Sequence, residues 1–147
     1  MTIEFLYRTI GDVLLFSTCA WALWRGQVPE RWGAAILLIA VGLTDLVQTR
    51  HLYRDGAVWD FVAIDVAGLI AFISLSLWSR RIWTLFISAF QLNAVISHFV
   101  GRLPIHVDTY TLITALSLWG GYGLTFALMA GMWQAERKRR AHAGFAS

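Results

Sequence analysis

Long runs of apolar residues, separated by short polar breaks, make up most of this chain. Five runs have about the 17–25 residues that a helix needs to cross a bilayer core of about 30 Å. The breaks contain charged residues or proline and are too short to hold a folded element of their own. The pattern therefore predicts an all-α fold, an up-and-down bundle of five transmembrane helices over residues 5–24, 32–49, 58–78, 82–100 and 107–133. The main alternative is four spans, with the first run lying in the interface.

The composition supports lipid as the surroundings of these helices. The chain has 147 residues, of which 58% are hydrophobic and only 14% are charged. A soluble domain usually carries about 25% charged residues. We therefore expect one transmembrane domain, residues 1–134, followed by a basic cytoplasmic tail, residues 135–147, in the inner (plasma) membrane of a cell.

The basic residues are distributed unevenly between the two sides that five spans create. Eight of the 12 Lys and Arg residues lie in the breaks after the first and third runs and in the tail. Because Lys and Arg accumulate on the cytoplasmic side, we expect the N-terminus outside and the C-terminus inside. No folded basic face is available for a nucleic acid, so we expect no such partner. Tryptophans that would mark the headgroup level on the inner side are Trp24, Trp32, Trp78, Trp83 and Trp133.

Ionisable residues within the runs concentrate in the half of the bundle that is expected to face outward, and the inner half is nearly free of them. An aspartate in the middle of a span costs about 2.5–3.5 kcal/mol on insertion scales. Such residues are therefore expected to face one another, water or a partner. The sequence predicts an outer polar cluster or ligand-binding pocket with Asp12, Asp45, Gln48, Asp65, Gln91 and His98 as its members.

Each of these residues also has a purely structural interpretation. Asp12 stands one turn from Arg8, and Asp45 lies near Arg50 and Arg54, so salt bridges would explain both acids. Asp65 has no basic residue within a turn, and its partner must come from another helix. His98 would be an interfacial histidine that makes hydrogen bonds between helices.

Carboxylates and imidazoles in one pocket are also ligands for a divalent metal, and two histidines are the minimum for haem between helices. His51 and His98 would lie on the same side of the membrane, so metal and haem stay open as cofactors. No spacing matches a zinc motif such as HExxH, and no catalytic motif is present. We therefore name no catalytic residue, and the sequence favours a protein that is not an enzyme.

Small residues recur every four positions in two of the runs. Such stripes let helices approach closely, so one stripe would serve the bundle and the other a homo-oligomer or a larger membrane complex. Packing within the bundle alone is the alternative. The stripes are Ala63, Ala67 and Ala71 in the third run and Gly123, Ala127 and Gly131 in the fifth.

The sequence leaves three functions open. A non-catalytic subunit or self-associating membrane protein comes first, because five spans without repeats or broken helices are untypical of secondary transporters. An ion- or proton-coupled small transporter that uses the buried acids comes second. A haem- or metal-binding membrane oxidoreductase comes third. The lipid bilayer is the partner that the composition itself indicates.

Overall fold

The computed structural model describes residues 3–51, 57–100 and 109–144. Within these ranges the chain is helical apart from two short turns, and it contains no strand, so the all-α prediction is confirmed. A seven-residue π-helical segment, Ser117–Gly123, joins the last two helices into one continuous rod. The helices are α1 (Ile3–Arg25), α2 (Val28–His51), α3 (Ala57–Ser79), α4 (Ile82–Val100), α5 (Thr109–Leu116) and α6 (Leu124–Gly144).

Four helical stretches among the described residues are long and apolar enough to cross a membrane. They support a multi-pass membrane protein, as the sequence predicted. Helix α1 has 23 residues, the length of a span, but it is not one of the four. The stretches are Val28–Thr49, Trp59–Ser79, Ile82–Val100 and Thr114–Ala141.

The helix limits differ from the predicted ones mainly at two places. Helix α2 begins at Val28, four residues before the predicted start, because Pro29 lies in its first turn. Proline is tolerated there, since an N–H in the first turn has no partner within the helix. The last helix passes the end of the fifth predicted span at residue 133 and continues through the basic segment to Gly144.

Two-residue turns connect α1 to α2 and α3 to α4, and we call the end of the bundle that holds them the lower end. The opposite end, where α2 and α4 finish, is the upper end. The apolar core reaches down to the lower end and draws on α1, α2, α3, α4 and α6. Its buried members are Leu15, Cys19, Ala22, Ala34, Leu37, Phe72, Leu75, Trp83, Ile87, Leu124, Ala127, Leu128 and Met132.

Large apolar side chains also cover the outside of the bundle. Trp24 is 82% exposed and Leu77 is 75% exposed, and more than twenty other large hydrophobic residues are exposed as well. A surface of this kind on a soluble monomer would be an aggregation liability, whereas lipid tails solvate it well. Trp83, expected among the headgroup-level tryptophans, is instead buried in the core at 1% exposure.

Candidate functional site

A cavity of about 500 Å³ lies in the upper half of the bundle, between α2, α3, α4 and the π-helical segment. This volume falls within the roughly 300–1,000 Å³ that is typical of small-molecule sites. Much of the wall is apolar, with Leu37, Phe61 and Leu124 among the contributors. The polar part of the lining consists of Thr44, Asp45, Gln48, Asp65, Gln91, His98 and Ser117.

Asp65, Gln91 and His98 form a connected group of hydrogen bonds in this cavity. His98 Nε2 lies 2.7 Å from Asp65 Oδ2. Gln91 Nε2 donates to Asp65 Oδ1 at 3.0 Å and to the Asp65 backbone carbonyl at 3.1 Å. Because an ionised carboxylate can only accept, His98 donates from Nε2 while Asp65 is charged. Both carboxylate oxygens of Asp65 therefore have a partner from α4.

The helix geometry explains why these three side chains meet. Gln91 and His98 are seven residues apart, so two turns place them on the same face of α4. Helix α4 packs against α3, where Asp65 lies one turn before Gly68. A Cβ atom at Gly68 would lie only 3.3 Å from Gln91 Nε2. Glycine at this position thus lets the amide reach α3, a contribution that sequence reasoning missed.

Asp45 and Gln48 face the same cavity from α2, on the side opposite to the α4 residues. Both side chains are exposed. Among the side chains that the structure describes, none donates a hydrogen bond or forms an ion pair with the carboxylate of Asp45. The basic residues that the sequence offered as its partners, Arg50 and Arg54, have side chains outside the described part of the chain.

The charges around the cavity are unbalanced. Its lining contains two carboxylates and one imidazole, and no Lys or Arg lines it among the described residues. When a concave site has apolar walls of low dielectric constant, the electric field of carboxylates in its lining is focused into the cavity. The two carboxylates thus give the described part of the lining an acidic character.

The fourth wall of the cavity is formed by the π-helical segment, which sequence reasoning treated as an ordinary helix. Its wide turn leaves Ser117 and Gly120 on the cavity side. The Gly121 carbonyl at its end accepts from the Leu124 N–H and also from the Thr125 hydroxyl, the latter at 2.9 Å. Such π-helical insertions are frequent at functional sites. The adjacent glycines Gly120 and Gly121 were the sequence signal for an irregular helix, but two glycines do not by themselves specify a π-helical turn.

The remaining predicted site residues lie elsewhere or beyond the description. Asp12 is exposed on α1 and does not line the cavity. The side chain of Arg8, its predicted partner, lies outside the described residues, as does that of His51 at the end of α2. In the part of the chain that the structure describes, no three His, Cys, Asp or Glu side chains are grouped so that they would hold a metal ion.

The two small-residue stripes have different surroundings. The stripe of α6 and the preceding segment lies inside the bundle, where Gly123 faces Phe90 and Gly131 faces Trp83. Ala127 is buried between them along the stripe. On α3, by contrast, Ala63 and Ala67 are exposed and Ala71 is half-buried.

A buried charge pair lies near the lower end, between two of the polar breaks that separate the predicted spans. Glu30 is completely buried, and Arg81 Nη1 donates to its Oε1 at 2.5 Å. Arg81 also donates from Nη2 to the side-chain oxygen of Gln27. Glu30 and Arg81 lie in the polar breaks, whose charges the sequence pattern related only to the orientation of the chain, so their burial was missed.

No protein-family model, curated protein or solved structure matches this chain. The geometry and charge of the upper cavity are therefore the observations that bear on its function.

Proposed function

We propose that this chain is an integral membrane protein that binds a small organic cation in the upper cavity. The observation that carries the proposal is the pairing of a negative polar side with an apolar wall in one space of about 500 Å³. Asp45 and Asp65 attract the charged group of such a ligand. Phe61 and the neighbouring leucines receive its hydrocarbon part, and an aromatic face also attracts cations.

The two acids have different roles in this proposal. Both oxygens of Asp65 are engaged by Gln91 and His98, so Asp65 positions α3 against α4 and supplies negative potential. Asp45 is exposed to the cavity and is the carboxylate that contacts the ligand directly. Substitution of Asp45 should therefore remove binding while leaving the α3–α4 contacts intact.

Benzylamine, which is a cation at neutral pH, is expected to stabilise the purified protein against thermal unfolding in mild detergent. A ligand that binds only the folded state adds about 2.7 kcal/mol at a concentration of 100 times Kd. Benzyl alcohol has nearly the same shape but no charge, and it should give little stabilisation. Asp45→Asn is expected to abolish the difference between the two compounds.

The control for this experiment is Asp12→Asn, which removes an exposed acid that does not line the cavity. This variant should respond to benzylamine as the unmodified chain does. Equal stabilisation by the amine and the alcohol would contradict the proposal, as would an unchanged benzylamine response in Asp45→Asn.

We further propose that the chain crosses the inner membrane five times, with the upper end outside. Helix α1 supports the fifth span because it follows the full height of the bundle. Near its start, Tyr122 Oη donates to the Tyr7 carbonyl at 2.6 Å. Near its end, Cys19 and Ala22 are buried in the lower core. A helix lying flat at the interface would not make contacts at both levels.

Epitope tags at the two termini are expected to react on opposite sides of the membrane. The N-terminal tag should be accessible in intact spheroplasts, and the C-terminal tag only after the membrane is permeabilised, as the excess of basic residues at the lower end predicts. An antibody-binding measurement with and without detergent tests this arrangement. Tags that become accessible together would favour four spans and contradict the fifth.

A second candidate function is a non-catalytic, self-associating subunit. Two observations favour it: Asp65, Gln91 and His98 satisfy one another without a ligand, and the small residues Ala63 and Ala67 are exposed on α3. This candidate predicts no preference for benzylamine over benzyl alcohol. The ligand experiment described above therefore distinguishes the two functions.

A further inference from the structure

A second hollow lies on the outside of the bundle, between α2 and α3 in the lower half. It has a volume of about 310 Å³ and is lined by Trp32, Ile36, Ala71, Ser74, Leu75 and Trp78. The only side-chain hydroxyl in this set, that of Ser74, donates to the Ile70 carbonyl at 2.8 Å. A polar solute has almost nothing to bond here, so the groove is suited to a hydrocarbon chain.

The groove lies at the depth and in the direction expected for the acyl chain of a lipid. Trp32 and Trp78 form its lower walls and are 58% and 62% exposed. Tryptophans near helix ends typically lie at the level of the lipid headgroups. Ala71 lies two turns from Trp78, about 10 Å further along α3. The groove therefore runs from headgroup level into the bilayer core, in the direction that a lipid tail takes.

An exposed arginine follows the groove-lining part of α3 in the chain. Arg80 follows Trp78 by two residues and is exposed. Its backbone has a positive φ of 52°, and its N–H donates to the Ser76 carbonyl at 3.0 Å. Helices usually place glycine at such an end because a side chain is disfavoured there. The neighbouring Arg81 points inward to Glu30, so Arg80 is the arginine of this turn that stays at the surface.

The lower end as a whole has the charge that attracts an anionic headgroup. Arg25 and Arg31 are also exposed there. Among the described residues of the lower end, the acids are engaged by arginine: Glu30 by Arg81, and Glu136 by basic neighbours on α6. Arginine binds phosphate by charge-assisted hydrogen bonds in a planar fork geometry.

We propose that the groove between α2 and α3 binds one anionic phospholipid. One acyl chain lies along the groove over Ala71, between the two tryptophans, and the phosphate bonds to the Arg80 guanidinium. This site requires only that the lower half of α2 and α3 face lipid, and it does not depend on the cation proposed for the upper cavity.

The test is native mass spectrometry of protein taken from vesicles with equal amounts of phosphatidylglycerol and phosphatidylcholine. The unmodified chain should retain one phosphatidylglycerol in preference to phosphatidylcholine. Arg80→Gln is expected to lower this preference about fivefold, the size expected for one arginine at an anionic surface. Ser74→Phe fills the groove from its exposed side and should lower the retention of both lipids.

Two matched controls carry the same kinds of substitution at positions outside the groove. Arg139→Gln removes an exposed arginine of α6, and Leu77→Phe adds an aromatic ring at an exposed position of α3 that does not line the groove. Both should retain phosphatidylglycerol as the unmodified chain does. Retention that is unchanged in Ser74→Phe would overturn the proposal. The proposal is also overturned if the unmodified chain gives the mass of a dimer and Ser74→Phe abolishes that mass, because a second copy of the chain would then occupy the groove.

Discussion

Replacing Arg81 with glutamine is expected to lower the free energy of unfolding by about 3–5 kcal/mol, the usual cost of removing one partner from a buried ion pair. Glu30 has no exposed surface, and Arg81 is its cationic partner at 2.5 Å. Without the guanidinium, the carboxylate is left in an apolar environment, and the α3–α4 turn loses its connection to the start of α2. Unfolding in mixed micelles with increasing dodecyl sulfate, followed by tryptophan fluorescence, measures the loss.

Two further variants show whether the loss comes from the unpaired charge. Arg80→Gln changes the adjacent exposed arginine and should stay within about 0.5 kcal/mol of the unmodified chain. The double variant Glu30→Gln with Arg81→Gln removes both charges and should recover part of the stability. If Arg81→Gln alone is as stable as Arg80→Gln, the pair does not hold the lower end together.

The helical bundle could be predicted because it depends mainly on the order of apolar and polar residues along the chain. A run of about 20 apolar residues has few structural solutions in lipid, since every backbone N–H and C=O must be satisfied within the segment. The limits of α4, Ile82–Val100, agree with the prediction at both ends. The number of crossings is less well determined, because α1 has acidic and basic residues in its first ten positions and depends on packing against its neighbours.

Part of the upper cavity could also be anticipated from the sequence. Alternating helix direction places Asp65, near the start of α3, at the level of Gln91 and His98, near the end of α4. The spacing of seven residues between the two α4 side chains then puts them on one face. The pairing itself required the rotation of each helix about its axis, which depends on contacts such as that of Gly68 with Gln91. Asp12 was included on depth alone, and its helix turns it away from the cavity.

The features that the sequence did not reveal depend on contacts between distant segments. Glu30 lies in a polar break, where a carboxylate normally remains in water, and its burial requires Arg81 from a turn 51 residues later in the chain. The π-helical segment is similar, because its apolar residues fit an α-helical pattern equally well. Its wide turn is visible only in the backbone, next to the cavity that it helps to enclose.

Gly131→Ala is expected to destabilise the bundle by about 1–3 kcal/mol, the cost of adding volume to a well-packed core. A Cβ atom at this position would lie 2.6 Å from Cδ2 of Trp83, well inside contact distance. The indole cannot move away easily, because Gly33 approaches it from α2, where an added Cβ would lie 2.9 Å from Cη2. Trp83 is thus held between two glycines on different helices. The same detergent unfolding measurement reports the change.

Gly42→Ala is the matched control, and it should change stability in the opposite direction. Gly42 is exposed in α2, and an added Cβ would meet nothing within 4 Å. Alanine in place of a helical glycine is worth about 0.5–1 kcal/mol, which here is not offset by a clash. In a Trp83→Leu background, the added cost of Gly131→Ala should be smaller than in the unmodified chain, since a smaller side chain makes room for the methyl group. An equal cost of Gly131→Ala in both backgrounds would mean that Gly131 serves the helix backbone rather than the indole contact.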